Sequence, residues 1–411
     1  MQSSLNRNIH LYPWYQAATS FSPWIPVFFL FFTETVTLGE AIRLGSIYYF
    51  GVFILEIPSG YLSDRAGRRP TLLLAALLTC CAYIAFLSAG SFATLAAAQF
   101  FLAAGIAFQS GSDSSLLYDS LSQKQQSQQY SSYEAKALQF GMTGLACSCL
   151  VGGLLGVIDL RLPYVAALAG GLTALYLSWC FHEPDRIDGS TADSFFRQLI
   201  SCIGHLRSTV LIWIFLFYVF GYSLEHIPFE FYQPYIALLD TTSITSWFKS
   251  TNAPLVSGIV IGMSMFGGAI GARVSIGLQK KFGVTIVLLC SILFQCIIIG
   301  GLALWLHPIF LILVMFRNFS MSMAHGPMMG VIAPRIPSAQ RATYLSMQSL
   351  AGRLLFSVVL FNLSSATAGI PLDWQTLSGI LRTCFVFGII ALALLAVLAR
   401  MNNGEQATAG R

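Results

Sequence analysis

Apolar residues along this chain gather into long runs separated by short polar breaks. In order they cover residues 13–34, 40–62, 70–90, 92–119, 135–158 and 163–182, then 208–237, 254–278, 283–305, 308–332, 341–367 and 375–400. A helix needs about 20 mostly apolar residues to cross the hydrocarbon of a bilayer, so each run predicts one span. The pattern is six spans, a polar stretch and six more. It predicts an all-α integral membrane protein of twelve transmembrane helices, with an N-terminal six-helix bundle over 1–182, a linker over 183–207 and a C-terminal six-helix bundle over 208–411. The linker carries Glu183, Asp185, Arg186, Asp188 and Asp193, and residues 195–206 are expected to form an amphipathic helix at the membrane surface.

Composition agrees. Of 411 residues 56% are hydrophobic and 9% charged, against about 25% charged in soluble domains. Charge also orients the chain. Sixteen of the 22 Lys and Arg fall on the side shared by the two termini, three (Arg43, Arg161, Lys249) fall on the other, and Arg317, Arg353 and Arg382 lie inside spans. Positive charge is retained on the cytoplasmic side, so both ends are expected in the cytoplasm and the protein in the cell inner membrane. The polar start, residues 1–10, predicts no cleavable signal peptide. Nine Cys, none in a C-x-x-C pair, read as small core hydrophobes, with no metal site expected. A net charge of +5 with no basic, aromatic soluble face makes nucleic acid an unexpected partner.

The densest charge cluster is residues 60–69, GYLSDRAGRR, between the second and third runs. Charge cannot enter hydrocarbon cheaply, and Gly60 and Gly67 permit a sharp turn, so the segment is expected at a membrane surface. The second half echoes it: residues 273–283, RVSIGLQKKFG, match 58–67 when Gly283 is set on Gly67, which puts Lys280 at Asp64 and Lys281 at Arg65.

The pattern G-x-L-x-D-R-x-G-R-R, preceded by Glu56-Ile57-Pro58-Ser59, resembles the helix 2–3 signature of the major facilitator superfamily. Residues 110–121 (SGSDSSLLYDSL), 336–338 (IPS) and 341–343 (RAT) are similar to a bacterial branch of it. The resemblance implies a secondary transporter made of two related six-helix bundles. It also implies a conformational gate of Gly60, Asp64, Arg65, Gly67, Arg68 and Asp119. In the family the acid of the turn faces the N-terminal end of helix 11, expected here near residues 338–343 with Ser338 as N-cap. Arg65 or Arg68 is expected to pair with Asp119. Span 4 departs from many proton-driven exporters in carrying Gln99 and no Arg in its outer half.

Ionisable groups inside spans are costly and mark functional candidates. Arg317 and Arg353 lie near mid-span, and His325 follows Arg317 by two turns on a similar face. Arginine binds carboxylate or phosphate through a planar fork and keeps its charge. Arg317, Arg353 and His325 are therefore the candidate solute-binding residues, and they favour an anion. Arg382, nearer a span end, is expected to snorkel outward. Glu56, Asp113, Glu225 and His226 are the candidate proton carriers. Pro228 is expected to break span 7 beside them, and Glu230 and Gln233 either line the cavity or face outside water. Tyr48, Tyr49, Phe50, Phe53, Phe215, Phe217 and Tyr218 either line a cavity or face lipid. Trp14, Trp24, Trp247, Trp305 and Trp374 sit where interface anchors do.

There is no G-x-x-x-x-G-K-[ST] loop, no H-E-x-x-H and no supported Ser/His/Asp set, so neither an enzyme nor a bound cofactor is expected. The expectation is a monomeric, proton-coupled transporter, working in the bilayer by alternating access on a small organic solute. That solute is an anion such as a carboxylate siderophore or a related metabolite. The alternatives are proton-driven efflux of hydrophobic drugs and, from another class, a membrane sensor on a transporter body.

Overall fold

The computed structural model of the chain describes residues 2–184, 202–239 and 250–409. Linker residues 185–201, which include the acids Asp185, Asp188 and Asp193 and most of the expected amphipathic helix, lie outside the described residues, as do Trp247 and Lys249. The described residues are helical, without strands. Ten helical segments are long and apolar enough to cross a membrane. The bilayer core offers no hydrogen-bond partners, so backbone that crosses it must satisfy itself as helix.

Backbone packing divides the chain into two compact units, residues 1–192 with 254–259, and residues 193–253 with 260–411. The first opens with α1 (Gln2–Ser20) and the short α2 (Phe28–Thr33). They are followed by α3 (Leu38–Ala66) and α4 (Arg68–Leu87), then α5 (Phe92–Gln109) with α6 (Ser112–Gln123), and finally α7 (Tyr130–Ile158) and α8 (Leu162–Cys180). Helix starts are written locally. Thr37 accepts from the Glu40 amide while the Glu40 carboxylate accepts from Thr37, a capping box that opens α3. Ser91 and Thr94 do the same for α5.

Helix α4 packs on α5 and α8, α3 on α5, and α1 on α7. Gly105 lets α5 approach α4 closely, since a Cβ there would meet the Thr79 hydroxyl and lie 3.1 Å from the Ala75 carbonyl. Tyr15, Leu72, Leu116 and Phe181 knit α1, α4, α6 and the end of α8 into one core. The short α2 is held by aromatics, with the Phe31 ring 4.5 Å from Tyr164 and Phe86 5.0 Å from Tyr164.

The second unit holds α9 (Thr209–Leu238), α10 (Ala253–Phe282), α11 (Val284–Leu304), the pair α12 (Phe310–Met315) and α13 (Arg317–Ile332), α14 (Ser338–Ala366) and α15 (Trp374–Ala409). Side chains that donate to carbonyls of neighbouring helices tie it together. Trp213 donates to Leu395 (2.8 Å), Tyr344 to Leu211 (2.8 Å) and Ser378 to Ala303 (2.8 Å). The Tyr235 hydroxyl donates to the Trp305 carbonyl (2.8 Å) and accepts from the His307 amide (2.9 Å), pinning the α11–α12 connection to α9.

Several expectations need correction. The first, fourth and tenth apolar runs are each two helices, broken at residues 21–27, at Ser110-Gly111 and at Phe316. Gly111 is left-handed (φ 74°), which glycine adopts without strain. Gly60 is not a turn residue: α3 runs through it to Ala66, and the chain turns at Gly67 alone. Pro228 does not break α9, which continues through it and Pro234. A span tolerates proline where neighbouring groups serve the freed backbone. Helix α14 starts at Ser338 with Pro337 in the capping position, one residue earlier than expected.

Candidate functional site

The charged turn is organised around Gly67. With φ 110°, this residue ends α3 and opens α4, and Gly283 with φ 81° does the same between α10 and α11. The internal echo read from the sequence is therefore a repeated backbone hinge. Among the described residues, Gly67 has a further task that Gly283 lacks. The Glu183 carboxylate accepts from the amides of Arg68 (2.7 Å) and Arg69 (2.6 Å), the first two residues of α4. An anion at a helix N-terminus satisfies orphan N–H groups and faces the positive end of the dipole. A Cβ on Gly67 would lie 2.5 Å from that carboxylate and displace it, on a backbone with φ 110° that other residues rarely adopt. Glu183 was read from the sequence as one linker charge among several. Its spacing, 115 residues from Arg68, leaves no local signal.

The other charges of the turn form a connected set. Arg68 donates to Asp64 (2.7 Å), to the Ser63 hydroxyl (2.9 Å) and to Asp119 on α6 (3.4 Å). It is Arg68 that meets Asp119, while Arg65 donates to the Tyr61 hydroxyl one turn back. Arg69 donates to the Trp179 carbonyl (3.0 Å) and lies over the Trp179 ring.

A cavity of about 270 Å³ opens inside the first unit, at the break between α5 and α6. Asp113, in the first turn of α6, lines it, together with Gln109, Ser110, Trp24 and Tyr83. Asp113 accepts from Gln16 (2.8 Å) and from the Ser114 amide (2.7 Å). Gln16 also donates to the Tyr12 hydroxyl (2.9 Å), which in turn donates to Glu134 (3.4 Å). Glu56 is tied to the same break, accepting from Ser110 (3.4 Å). Gln16, Tyr12 and Glu134 went unremarked in the sequence because they stand on α1 and α7, far from Asp113 along the chain.

The second unit has its own cavity of about 260 Å³, lined by Glu225, His325, Tyr218, Tyr222 and Met321 among others. Arg317 is the first residue of α13 and is 8% exposed. It lies one turn from Met321, and its guanidinium donates to the Glu225 carbonyl (3.2 Å) and sits 4.9 Å from the centre of the Phe229 ring. The Gln295 amide donates to the Arg317 carbonyl (2.8 Å) and to Ser320. Arg317 and His325 do not share surroundings, since His325 is exposed at the cavity and Arg317 is buried behind it. Arg353 is half-buried on α14, with its Nε 3.5 Å from the Ser349 hydroxyl and its charge bearing on Tyr218 and His226. His226 stacks on Tyr222 (4.0 Å) and donates from Nδ1 to the Tyr222 carbonyl (2.8 Å), which fixes its tautomer. Glu230 and Gln233 are buried, not facing outside water (2% and 0% exposed). Arg382 is exposed on α15.

Comparison with known proteins gives these sites a setting. The family model described as Major Facilitator Superfamily matches residues 15–360, and the chain belongs to that family. No curated protein matches it. Among solved structures, the nucleoside transporter NupG superposes with a TM-score of 0.73 at 13% identity, covering 95% of this chain and 99% of its own. The POT family transporter PepTSo superposes with a TM-score of 0.73 at 14% identity, covering 97% and 98%. These likenesses show the fold. The chain is an all-α membrane protein of the major facilitator fold and a secondary transporter, not an enzyme.

The carboxylate on α4 makes a direct prediction. Glu183→Ala leaves two orphan amides at the start of α4 and should lower stability by about 1–3 kcal/mol, read as a fall in the thermal midpoint of the purified protein. Glu183→Gln, which keeps an acceptor, should recover part of the loss. Equal midpoints for all three proteins would show that the contact contributes nothing.

Proposed function

We propose that this superfamily member carries a small organic anion, a carboxylate-bearing metabolite, in company with protons. On this reading it works by alternating access in the cell inner membrane, with both chain ends cytoplasmic. One observation carries the reading. A cavity lined by Glu225 and His325 has two guanidinium groups next to its lining residues, Arg317 on the Glu225 carbonyl and Arg353 near Tyr218.

The chemistry follows from charge. Arg353 is the better placed to touch the solute, being half-buried and beside Tyr218, which lines the cavity. Arg317 supplies a second fixed charge from behind, anchored on the Glu225 backbone and the Phe229 ring. Its charge also bears on the Glu225 carboxyl. An ionised Glu225 neutralises this positive field and repels an incoming carboxylate. A proton on Glu225 releases the field for the solute, so anion and proton occupy the site together. His325 offers a further donor at the cavity. His226, engaged with the Tyr222 carbonyl, orients the wall and is the poorer proton carrier.

The turn at 60–69 is the gate. Arg68 is shared between Asp64 and Asp119, and opening requires it to exchange one for the other. Gly67 gives the backbone hinge, and Arg65 holds Tyr61. Asp64→Asn weakens one of Arg68's two carboxylate contacts, and the protein should still fold and bind. Its transport rate in proteoliposomes should fall several-fold with KM little changed; an unaltered rate would remove the turn from the cycle.

The site itself is tested by uptake into proteoliposomes from a panel of carboxylates, citrate and benzoate included. Arg353→Ala should raise KM about tenfold or more, the scale of a lost charged hydrogen bond. Arg353→Lys should recover part of it. Uptake that is indifferent to both Arg353→Ala and Arg317→Ala, or a preference for lipophilic cations over every anion, would overturn the reading.

A further inference from the structure

We infer that the cavity of the first unit is a binding site for an ammonium group, separate from the Glu225 cavity of the second unit. The observation is the pairing of the Asp113 carboxylate with an aromatic wall in a partly open space of about 270 Å³.

Charge comes first. Asp113 is the one ionisable acid on the lining, and no Lys, Arg or His stands with it among the described lining residues. Its partners, the Gln16 amide, the Ser114 backbone N–H and the Gln109 side chain, are neutral. The nearest further charged group along the hydrogen-bond chain is another acid, Glu134, reached through Gln16 and Tyr12. A carboxylate withdrawn from water keeps its charge only when paired and otherwise takes up a proton. No cation of the described lining pairs it, so the space in front of Asp113 suits a positive ligand and excludes an anion.

Capacity comes second. A carboxylate has about four acceptor positions; on Asp113, Gln16 meets Oδ2, Ser114 meets Oδ1, and the Gln109 side chain of the same lining adds a further donor. Gln109 stands on the cavity side, so a ligand N–H can take its place on the carboxylate. An ammonium group brings up to three N–H groups. One can fall on Asp113 in place of Gln109, and others can reach a hydroxyl of the same lining, such as Ser110 or Thr79.

The wall is the third part. Trp24 and Tyr83 line the cavity, and the indole N–H donates to the Tyr83 hydroxyl (3.2 Å), which fixes both rings. Tyr15 and Phe21 complete the aromatic side. Aromatic faces attract cations and accept the apolar body of an amine. The space is at the small end for ligand pockets, so it fits a compact amine or the amine end of a larger solute.

The test uses the purified full-length protein and three probes by isothermal titration: phenethylamine, N-acetylphenethylamine and sorbitol. Phenethylamine should bind at least about tenfold tighter than its neutral N-acetyl isostere, the scale of a charged hydrogen bond, and sorbitol should not bind. Asp113→Asn should abolish the preference for the amine, and Asp113→Glu should restore part of it. Arg317→Ala and Arg353→Ala should leave amine binding within about twofold, which separates this site from the anion site. Equal binding of amine and N-acetyl amine to the unmutated protein would overturn the inference without recourse to any variant. So would amine affinity unchanged in Asp113→Asn, or sorbitol binding that depends on Asp113.

Discussion

A bilayer core provides no hydrogen-bond partners, and this constraint governs where chemistry can be placed in the chain. Backbone that crosses must be helical, and charge that enters must find partners inside the protein. Both demands meet at the helix breaks. The break at Ser110-Gly111 puts Asp113 in the first turn of α6, where backbone N–H groups favour a carboxylate. The break at Phe316 puts Arg317 at the first position of α13. A cation there opposes the dipole, so it needs outside support, which it receives from the Glu225 carbonyl and the Phe229 ring. Each broken span therefore lies beside a cavity, and each cavity lies beside an ionisable group.

The same logic explains the charged turn. The first amides of α4 have no partner within the helix, and the Glu183 carboxylate covers two of them. Gly67 is required twice at this point, by its left-handed backbone and by the space the carboxylate occupies. Arg68 then collects Asp64, Ser63 and Asp119 into one set, linking α3, α4 and α6. A group that holds two acids of different helices is suited to a moving part, because one contact can strengthen as the other weakens.

Much of the fold was legible because membrane spans announce themselves by length and apolarity. The hinge glycines were legible too, and Gly67 and Gly283 share one backbone conformation. Helix interruptions were not. Hydropathy averages over a window, so residues 92–119 read as one span although Gly111 divides them. Pro228 misled in the other direction: proline marks a break in water, whereas α9 passes straight through it inside a packed bundle. The sites were half legible. An arginine or acid in an apolar run stands out, and so Arg317, Arg353, Asp113 and Glu225 were singled out, of which Asp113 and Glu225 line cavities. Their neutral partners carry no such mark. Gln16, Tyr12, Ser349 and Phe229 are ordinary residues of membrane helices, and only the packing brings them to the charged groups. Arg317 and Arg353 were both read as mid-span cations, yet Arg317 is buried against the Glu225 carbonyl and the Phe229 ring while Arg353 stands half-buried near Tyr218.

The central claim is that the anion and the proton share the cavity of Glu225. The most direct measurement is calorimetric binding of the best carboxylate from the uptake panel, repeated in buffers of different ionisation enthalpy. If binding takes up a proton, the observed heat changes with the buffer, and the change should vanish in Glu225→Gln while anion binding persists. Heats that are the same in every buffer, or a buffer dependence undiminished in Glu225→Gln, would contradict it.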